Sequence, residues 1–138
     1  MLHVTKIKPL HNYLLVSGDR YEKDIKSNGI IMYNKGELKM YQEVLEVGPM
    51  VQGIKVGDKV SLNLFKYAEM KYDKNSLQND MDNNKVIKWH LPWQTIYDEN
   101  DSPKDCLLID DHCVVFVYEG KEVEENIILP QPKKFELN

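Results

Sequence analysis

Few side chains in this sequence stand where reaction chemistry would need them. Cys106 and Cys113 are too far apart for a Cys-x-x-Cys knuckle, and no second pair exists. A structural zinc site takes four convergent ligands. His112 adjoins Cys113, but neighbouring side chains on a strand face opposite ways, so the two do not chelate together and Cys113 reads as a small core residue. Nucleophilic catalysis requires a nucleophile oriented by a base and a third group. Ser17, Ser27, Ser61, Ser76 and Ser102 lie in no recognisable elbow, and His3, His11, His90 and His112 in no triad-like setting. No Gly-rich phosphate loop is present. Asp110-Asp111 and Asp98-Glu99-Asn100-Asp101 are acidic clusters that solvated turns explain more simply than a cation site. The expectation is a protein with no catalytic residue, no metal and no cofactor of its own.

Binding is where the residue types are informative. Gly29-Ile30-Ile31-Met32 places three bulky apolar side chains between the polar stretches Ser17-Gly18-Asp19-Arg20-Tyr21-Glu22-Lys23-Asp24 and Tyr33-Asn34-Lys35-Gly36-Glu37. Polar segments with Gly and Asn make loops. Fully burying one such apolar side chain is worth roughly 1.5–3 kcal/mol, so the triplet needs a partner, either the protein's own sheet or another molecule. Gly29 supplies a hinge-like residue with free backbone angles, and Met32 adds adaptability. The alternative is a β-hairpin of Ile30-Ile31-Met32-Tyr33 with Glu37-Leu38-Lys39-Met40-Tyr41 across Asn34-Lys35-Gly36, which would still present an apolar end.

The elements around this loop read as short strands. Tyr13-Leu14-Leu15-Val16 follows a proline-punctuated lead-in, Glu43-Val44-Leu45-Glu46-Val47-Gly48 alternates and closes on Gly, and Val60-Ser61-Leu62-Asn63-Leu64 follows a Gly57-Asp58 turn. Cys113-Val114-Val115-Phe116-Val117 is a run of β-formers. Helical periodicity is weak, and short alternating runs divided by Gly, Pro, Asn and Asp point to an all-β barrel. The chain has 138 residues, enough for one domain with a real core, and is 42% hydrophobic. Its formal charge of −4, with acids and bases interspersed, argues against a nucleic-acid binder. No apolar run suggests a membrane span or a signal peptide, and two cysteines without such a signal suggest a cytoplasmic setting.

In this order and spacing, Lys8-Pro9-Leu10-His11, Ser27-Asn28-Gly29-Ile30-Ile31-Met32, Glu43-Val44-Leu45-Glu46-Val47-Gly48 and Lys55-Val56-Gly57-Asp58-Lys59-Val60 resemble the GroES family of co-chaperonins. Leu107-Leu108-Ile109 with Val114-Val115-Phe116-Val117 is a weaker match. The resemblance is good over residues 7–64, poor over 66–104 and absent after Tyr118. It implies a small GroES-like β-barrel over residues 1–118, with a mobile loop over about 19–40, an insertion over about 71–104, and a C-terminal extension over 119–138. It also implies a homo-oligomeric ring, a heptamer, that caps a GroEL-type chaperonin through Gly29, Ile30, Ile31 and Met32. ATP is then bound by the chaperonin, not by this chain. In the family, the N-terminal strand of one subunit pairs with the C-terminal strand of the next, which here means residues 4–10 meeting residues 114–117. Zinc-dependent alcohol dehydrogenases contain a similar barrel, but the chain lacks their zinc-ligand cysteines and has no room for a dinucleotide-binding domain.

Three places depart from the family pattern. Pro49-Met50-Val51-Gln52-Gly53-Ile54 is short where cellular members carry a roof hairpin, a trimming that resembles the co-chaperonins of some tailed phages and would put the protein in a host cytoplasm. Within the insertion, residues 72–84 are polar and read as a solvated loop. Val86-Ile87-Lys88-Trp89-His90-Leu91-Pro92-Trp93-Gln94-Thr95-Ile96-Tyr97 is aromatic and β-prone, with Pro92 at an edge strand or a bend, and either covers the barrel or makes a contact of its own. Asn126-Ile127-Ile128-Leu129-Pro130-Gln131-Pro132 either packs along the subunit's surface or reaches a neighbour. A phage virion or assembly protein reusing the barrel is the alternative function.

Overall fold

The structure is a computed structural model that describes residues 1–72 and 85–121. The described residues form ten strands: β1 (Tyr13–Ser17), β2 (Ile25–Ser27), β3 (Ile30–Tyr33), β4 (Gln42–Val47), β5 (Lys59–Leu62), β6 (Ala68–Tyr72), β7 (Lys85–Trp89), β8 (Trp93–Tyr97), β9 (Pro103–Asp110) and β10 (Val114–Tyr118). Two 3-10 turns, Phe65–Tyr67 and Asp111–Cys113, are the only helical pieces among the described residues. Six strands form one sheet in the order β10-β5-β4-β1-β9-β8, while β2-β3 and β6-β7 are separate two-stranded ribbons.

Strand β1 is the centre of the sheet because its sequence tolerates burial on both faces: Leu14, Leu15, Val16 and Ser17 are all inaccessible. It lies antiparallel to β4 and β9, so that Val16 stands opposite both Val44 and Leu107, and Leu14 opposite both Val47 and Ile109. Residues directly opposite share a face. Leu14, Val16, Val44, Val60, Leu107, Ile109 and Cys113 accordingly form one core cluster. Trp93 from the β8 edge and Val114 and Val117 from the β10 edge pack against that same cluster. A sheet whose two edges share one core must be strongly curled, and the result is a small all-β barrel. Register shifts between Leu15 and Val16, and between Val114 and Phe116, supply local bends.

The residues before β1 and after β4 interlock. Gly48 N–H donates to the Tyr13 carbonyl at 2.8 Å and Met50 N–H to the His11 carbonyl at 2.9 Å. His11 takes a left-handed conformation (φ 55°) to turn the chain into β1. A Cβ on Gly48 would lie 2.4 Å from the His11 oxygen and 2.8 Å from that of Tyr13, so only glycine fits. The link over residues 48–58 is built of turns and carries no strand, and its Val51 and Ile54 pack on the core.

The aromatic half of the proposed insertion divides at His90–Pro92. Upstream, β7 pairs with β6 in a projecting ribbon. Downstream, β8 is an edge strand of the main sheet, in register with β9 from Trp93↔Leu107 to Tyr97↔Pro103. The polar loop expected over 72–84 lies outside the described residues from position 73 to 84, as does the C-terminal extension from position 122. Cys113, expected at the head of a strand, instead closes a 3-10 turn, with β10 beginning at Val114. Lys66, in the turn before β6, forms an ion pair with Asp110 at the end of β9 and fastens the ribbon's base to the barrel. The Lys66 ammonium holds the Asp110 carboxyl below the ordinary carboxylate range.

Two outcomes follow from these contacts. Gly48→Ala drives a methyl into backbone oxygens that cannot yield, and we expect a loss of about 1–3 kcal/mol in urea unfolding. The depressed Asp110 carboxyl contributes stability that is fully present above its unfolded-state pKa and is lost as pH falls through its lower folded value. The acid limb of a thermal-stability profile should therefore flatten in Asp110→Asn relative to the parent.

Candidate docking site

The loop over residues 19–40 leaves the barrel through a polar latch. Ser17 and Gln42 are the buried polar residues of the described core. Ser17 Oγ donates to Gln42 Oε1 at 2.9 Å and accepts from the Glu43 N–H at 2.8 Å. The same Oε1 accepts from the Asp19 N–H at 2.9 Å, while Gln42 Nε2 donates to the carbonyls of Asp19 (3.0 Å) and Lys39 (3.3 Å). The amide thus makes four hydrogen bonds, the full capacity of that group, and ties both ends of the loop to the start of β4.

Beyond the latch the two arms pair as a neck. Lys39 N–H donates to the Asp19 carbonyl, Tyr21 N–H to the Glu37 carbonyl and Gly36 N–H to the Tyr21 carbonyl, at 2.8–2.9 Å, and Arg20 bridges to Leu38. Arg20 Nη1 donates to the Gly36 carbonyl at 2.7 Å. Tyr21 is buried in this neck, its ring stacked on Tyr33 with centroids 4.9 Å apart and its hydroxyl accepting from the Met40 N–H. Neither Tyr21 nor Gln42 drew attention in the sequence, and Ser17 was weighed only as a nucleophile. A buried amide in a polar stretch leaves no local pattern to find.

At the tip, β2 and β3 form a hairpin across Asn28-Gly29, whose φ values of 53° and 79° are both positive. Two adjacent left-handed residues match the twist of paired strands, and Asn-Gly adopts that geometry most readily. In the alternative hairpin, Ile30–Tyr33 pairs downstream with Glu37-Leu38-Lys39-Met40-Tyr41. It pairs upstream instead, because Asn34-Lys35-Gly36 offers one left-handed residue, Gly36, and closes a wider turn back onto Tyr21. Gly29 is held at a turn position in this hairpin, with open space around it. Ile30, Ile31 and Met32 are 66%, 48% and 55% exposed. Among the described residues the ribbon is a separate two-stranded sheet with no layer beneath it, and Tyr33 at its root is stacked on Tyr21.

Several of the candidates for chemistry are buried or engaged elsewhere. Cys106 and Cys113 are buried free thiols, and burial pushes both thiol pKa values up, away from reactivity. Asp98 Oδ1 accepts from the Asn100 and Ser102 N–H groups at 2.9 Å, and Asp111 Oδ1 accepts from Asn12 Nδ2 at 3.0 Å. Among the described residues, no three His, Cys, Asp or Glu side chains converge as metal ligands, and no helix is long and apolar enough to cross a membrane.

The family model described as "Chaperonin 10 Kd subunit" matches residues 6–82, more than half of the 138-residue chain. That span contains the latch, the neck and the hairpin. No curated protein matches the chain significantly.

Gln42→Leu leaves the Ser17 hydroxyl proton and the Asp19 N–H without acceptors. We expect a loss of about 1–3 kcal/mol in thermal unfolding, together with faster proteolysis within residues 19–40. An unchanged cleavage rate in that segment would contradict the latch.

Proposed function

The chain belongs to the chaperonin 10 kDa subunit family, the GroES-like co-chaperonins, and we propose that it assembles into a ring that caps a GroEL-type chaperonin, with Gly29, Ile30, Ile31 and Met32 as the docking tripeptide and its hinge. The observation that carries this reading is the exposure of three consecutive apolar side chains at the end of a pinned, hydrogen-bonded neck. A monomer gains nothing by showing them to water. Docking removes them from water at roughly 1.5–3 kcal/mol per side chain.

Fixing a disordered loop would cost on the order of 1–2 kcal/mol for each residue's backbone. A tip that is already a hairpin loses less on docking. Each contact is still weak, and a ring of such contacts converts later dockings into intramolecular events at high effective concentration. The lid then grips while the chaperonin is in its nucleotide-bound state and releases when that state changes. This chain does no chemistry, and hydrolysis belongs to the chaperonin.

Ring formation uses the sheet's edges. The β10 edge carries Val115 and Phe116, which are exposed. An apolar unpaired edge is an aggregation hazard, which pairing with residues 4–10 of a neighbouring subunit would remove. In the isolated chain that N-terminal segment is not a strand. It touches the opposite edge, where the Tyr97 N–H donates to the Val4 carbonyl at 2.8 Å and His3 stacks on Tyr97. Assembly into a heptamer would draw it onto β10. The turn-built link over residues 48–58 gives the ring an open centre, as in the roofless lids of tailed phages.

Ile31→Asp tests the docking role. The side chain is exposed, so the circular dichroism spectrum and melting temperature should stay those of the parent. Co-sedimentation with a GroEL-type chaperonin and ATP, and ATP-dependent refolding of a client, should both be lost, whereas Ile31→Val retains them. A protein whose chaperonin binding ignores Ile31→Asp, or which copurifies with virus particles and binds no chaperonin, would point to the structural alternative.

A further inference from the structure

The N-terminal arm, residues 1–10, forms no strand, yet it is held at both ends. At its root Pro9 is buried and the Tyr13 N–H donates to the Leu10 carbonyl at 3.1 Å. At its tip the Tyr97 N–H donates to the Val4 carbonyl at 2.8 Å. The His3 ring stacks on Tyr97 with centroids 4.4 Å apart and planes 16° apart, and His3 Nδ1 lies 3.0 Å from Asp101 Oδ1. Asp101 holds φ at 60°, in the left-handed region that glycine enters freely and most other residues avoid. The β8–β9 turn itself makes no use of the Asp101 carboxylate. It is closed by backbone hydrogen bonds among Asp98, Asp101 and Ser102, and by Asp98 Oδ1, which accepts from the Asn100 and Ser102 N–H groups. The Asp101 carboxylate reaches His3 instead. Between root and tip, residues 5–8 make no backbone hydrogen bond among the described residues, and Thr5, Lys6 and Lys8 are exposed. The arm is a length of chain strung between two fixed points with its ladder groups unpaired.

We infer that the clasp of His3 and Val4 on Tyr97 and Asp101 pre-sets the arm as a strand for β10 of a second copy of this chain. The inference rests on the proposed ring and adds to it the residues that ready the arm. The complementary surface is β10, an edge strand with Val115 and Phe116 exposed. It carries no charge along its length, with Asp111 before it and Glu119 after it. The arm carries Lys6 and Lys8 and no acid as far as His11, so the two partners match in charge as well as in unpaired backbone. The six-stranded sheet begins at β10 and ends at β8. In a head-to-tail contact the β10 edge of one copy therefore meets the β8 side of the next, where the clasped arm already lies. Ordering a loose arm costs backbone entropy for every residue fixed, and a tip already in place leaves less of that cost to the association step. A freed arm that visits the ready position about one time in ten binds about tenfold more weakly.

Asp101→Gly removes the carboxylate and leaves a residue at ease in the left-handed turn. Sedimentation velocity of the full chain, fluorescently labelled and without chaperonin, is run over a dilution series. The half-assembly concentration of Asp101→Gly should rise about tenfold over the parent, with the circular dichroism spectrum unchanged. In the dilute monomer its Tyr97 amide should exchange with deuterium about tenfold faster, because the bond to Val4 opens more often. Asp101→Asn tolerates the same turn and still offers His3 an oxygen, so it should keep both values near the parent's. Equal half-assembly concentrations for Asp101→Gly and the parent would overturn the assignment while leaving the ring intact. A lower value for Asp101→Gly would also overturn it, showing that the clasp holds the arm away from the neighbour. A parent that stays monomeric at every concentration, with its Tyr97 amide protected, would defeat the ring reading itself and reduce the clasp to a cover for the β8 edge.

Discussion

The loop that projects from this barrel over residues 19–40 is aimed by the Gln42 amide. It sits at the first residue of β4, where the sheet ends and the loop begins, and its four hydrogen bonds take in Ser17, Asp19 and Lys39. A buried amide with an unmet donor or acceptor is penalised by about 1–3 kcal/mol, so the loop's two arms cannot drift apart without exposing that penalty. The neck's backbone pairing and the buried Tyr21 extend the constraint outward as far as Tyr33. Past Tyr33, among the described residues, the chain is held by the β2–β3 pairing across the Asn28-Gly29 turn. Polar contacts thus concentrate at the loop's base and set its direction, and the tip carries the apolar side chains that the proposed docking would use.

The barrel and the proposed ring are two solutions to one problem, the unpaired strand edge. Curling lets β8 and β10 share a core, but it leaves a residual edge on each because the closing ladder is not made within the chain. On the β8 side, Val4, His3 and the β8–β9 turn give partial cover through one backbone hydrogen bond, a ring stack and the His3–Asp101 contact at 3.0 Å. On the β10 side the described residues provide no equivalent, and the exposed residues there are Val115 and Phe116. A sheet with one covered edge and one greasy edge is asymmetric, and head-to-tail contacts between unlike edges build a ring where the rotation closes and an open filament where it does not. The proposed ring would use this asymmetry.

How far the sequence revealed this depended on whether a residue's role was local. A run of apolar residues after a proline-punctuated lead-in located one central strand, Tyr13–Val16, and alternation in Glu43–Val47 located the second, because a half-buried strand writes its face into every second residue. Gly48 closed the second for a reason invisible locally, the approach of two carbonyls from residues 11 and 13. The apolar triplet stood out by contrast with its polar flanks, and the structure places it in the open. The alternative hairpin put its partner strand downstream, and the structure puts it upstream. Asn28-Gly29 is the stronger hairpin turn by backbone angle, but Ile25-Lys26-Ser27 has too little hydrophobic pattern to look like a strand. Ser17, Tyr21 and Gln42 were illegible as a unit, since a polar latch depends on contacts between residues 23 to 26 positions apart and imposes no periodicity. Pro92 did announce the division of the aromatic stretch, but not that one half would join the main sheet and the other leave it.

The β6–β7 ribbon shows why the exposed aromatics need an explanation that the barrel alone does not give. In its register Ala68 faces Trp89 and Met70 faces Ile87, while Glu69 faces Lys88. One face is therefore apolar and the other charged, with Glu69 also bound to His90 at 2.8 Å. An isolated two-stranded ribbon is marginal in water. This one is fastened at its root by the Lys66–Asp110 ion pair and by the His90 N–H donating to the Tyr67 carbonyl. Those contacts fix its position without burying its apolar face. Met70, Ile87 and Trp89 stay about half exposed, so the ribbon's root is specified by polar contacts, while its face has the Trp89–Phe65 ring contact and otherwise remains open among the described residues. The same division recurs in the loop, where a hydrogen-bonded neck carries an apolar tip. Both projections use directional polar bonds to hold non-directional apolar surface away from the core, the arrangement expected when that surface is meant for another segment or another molecule.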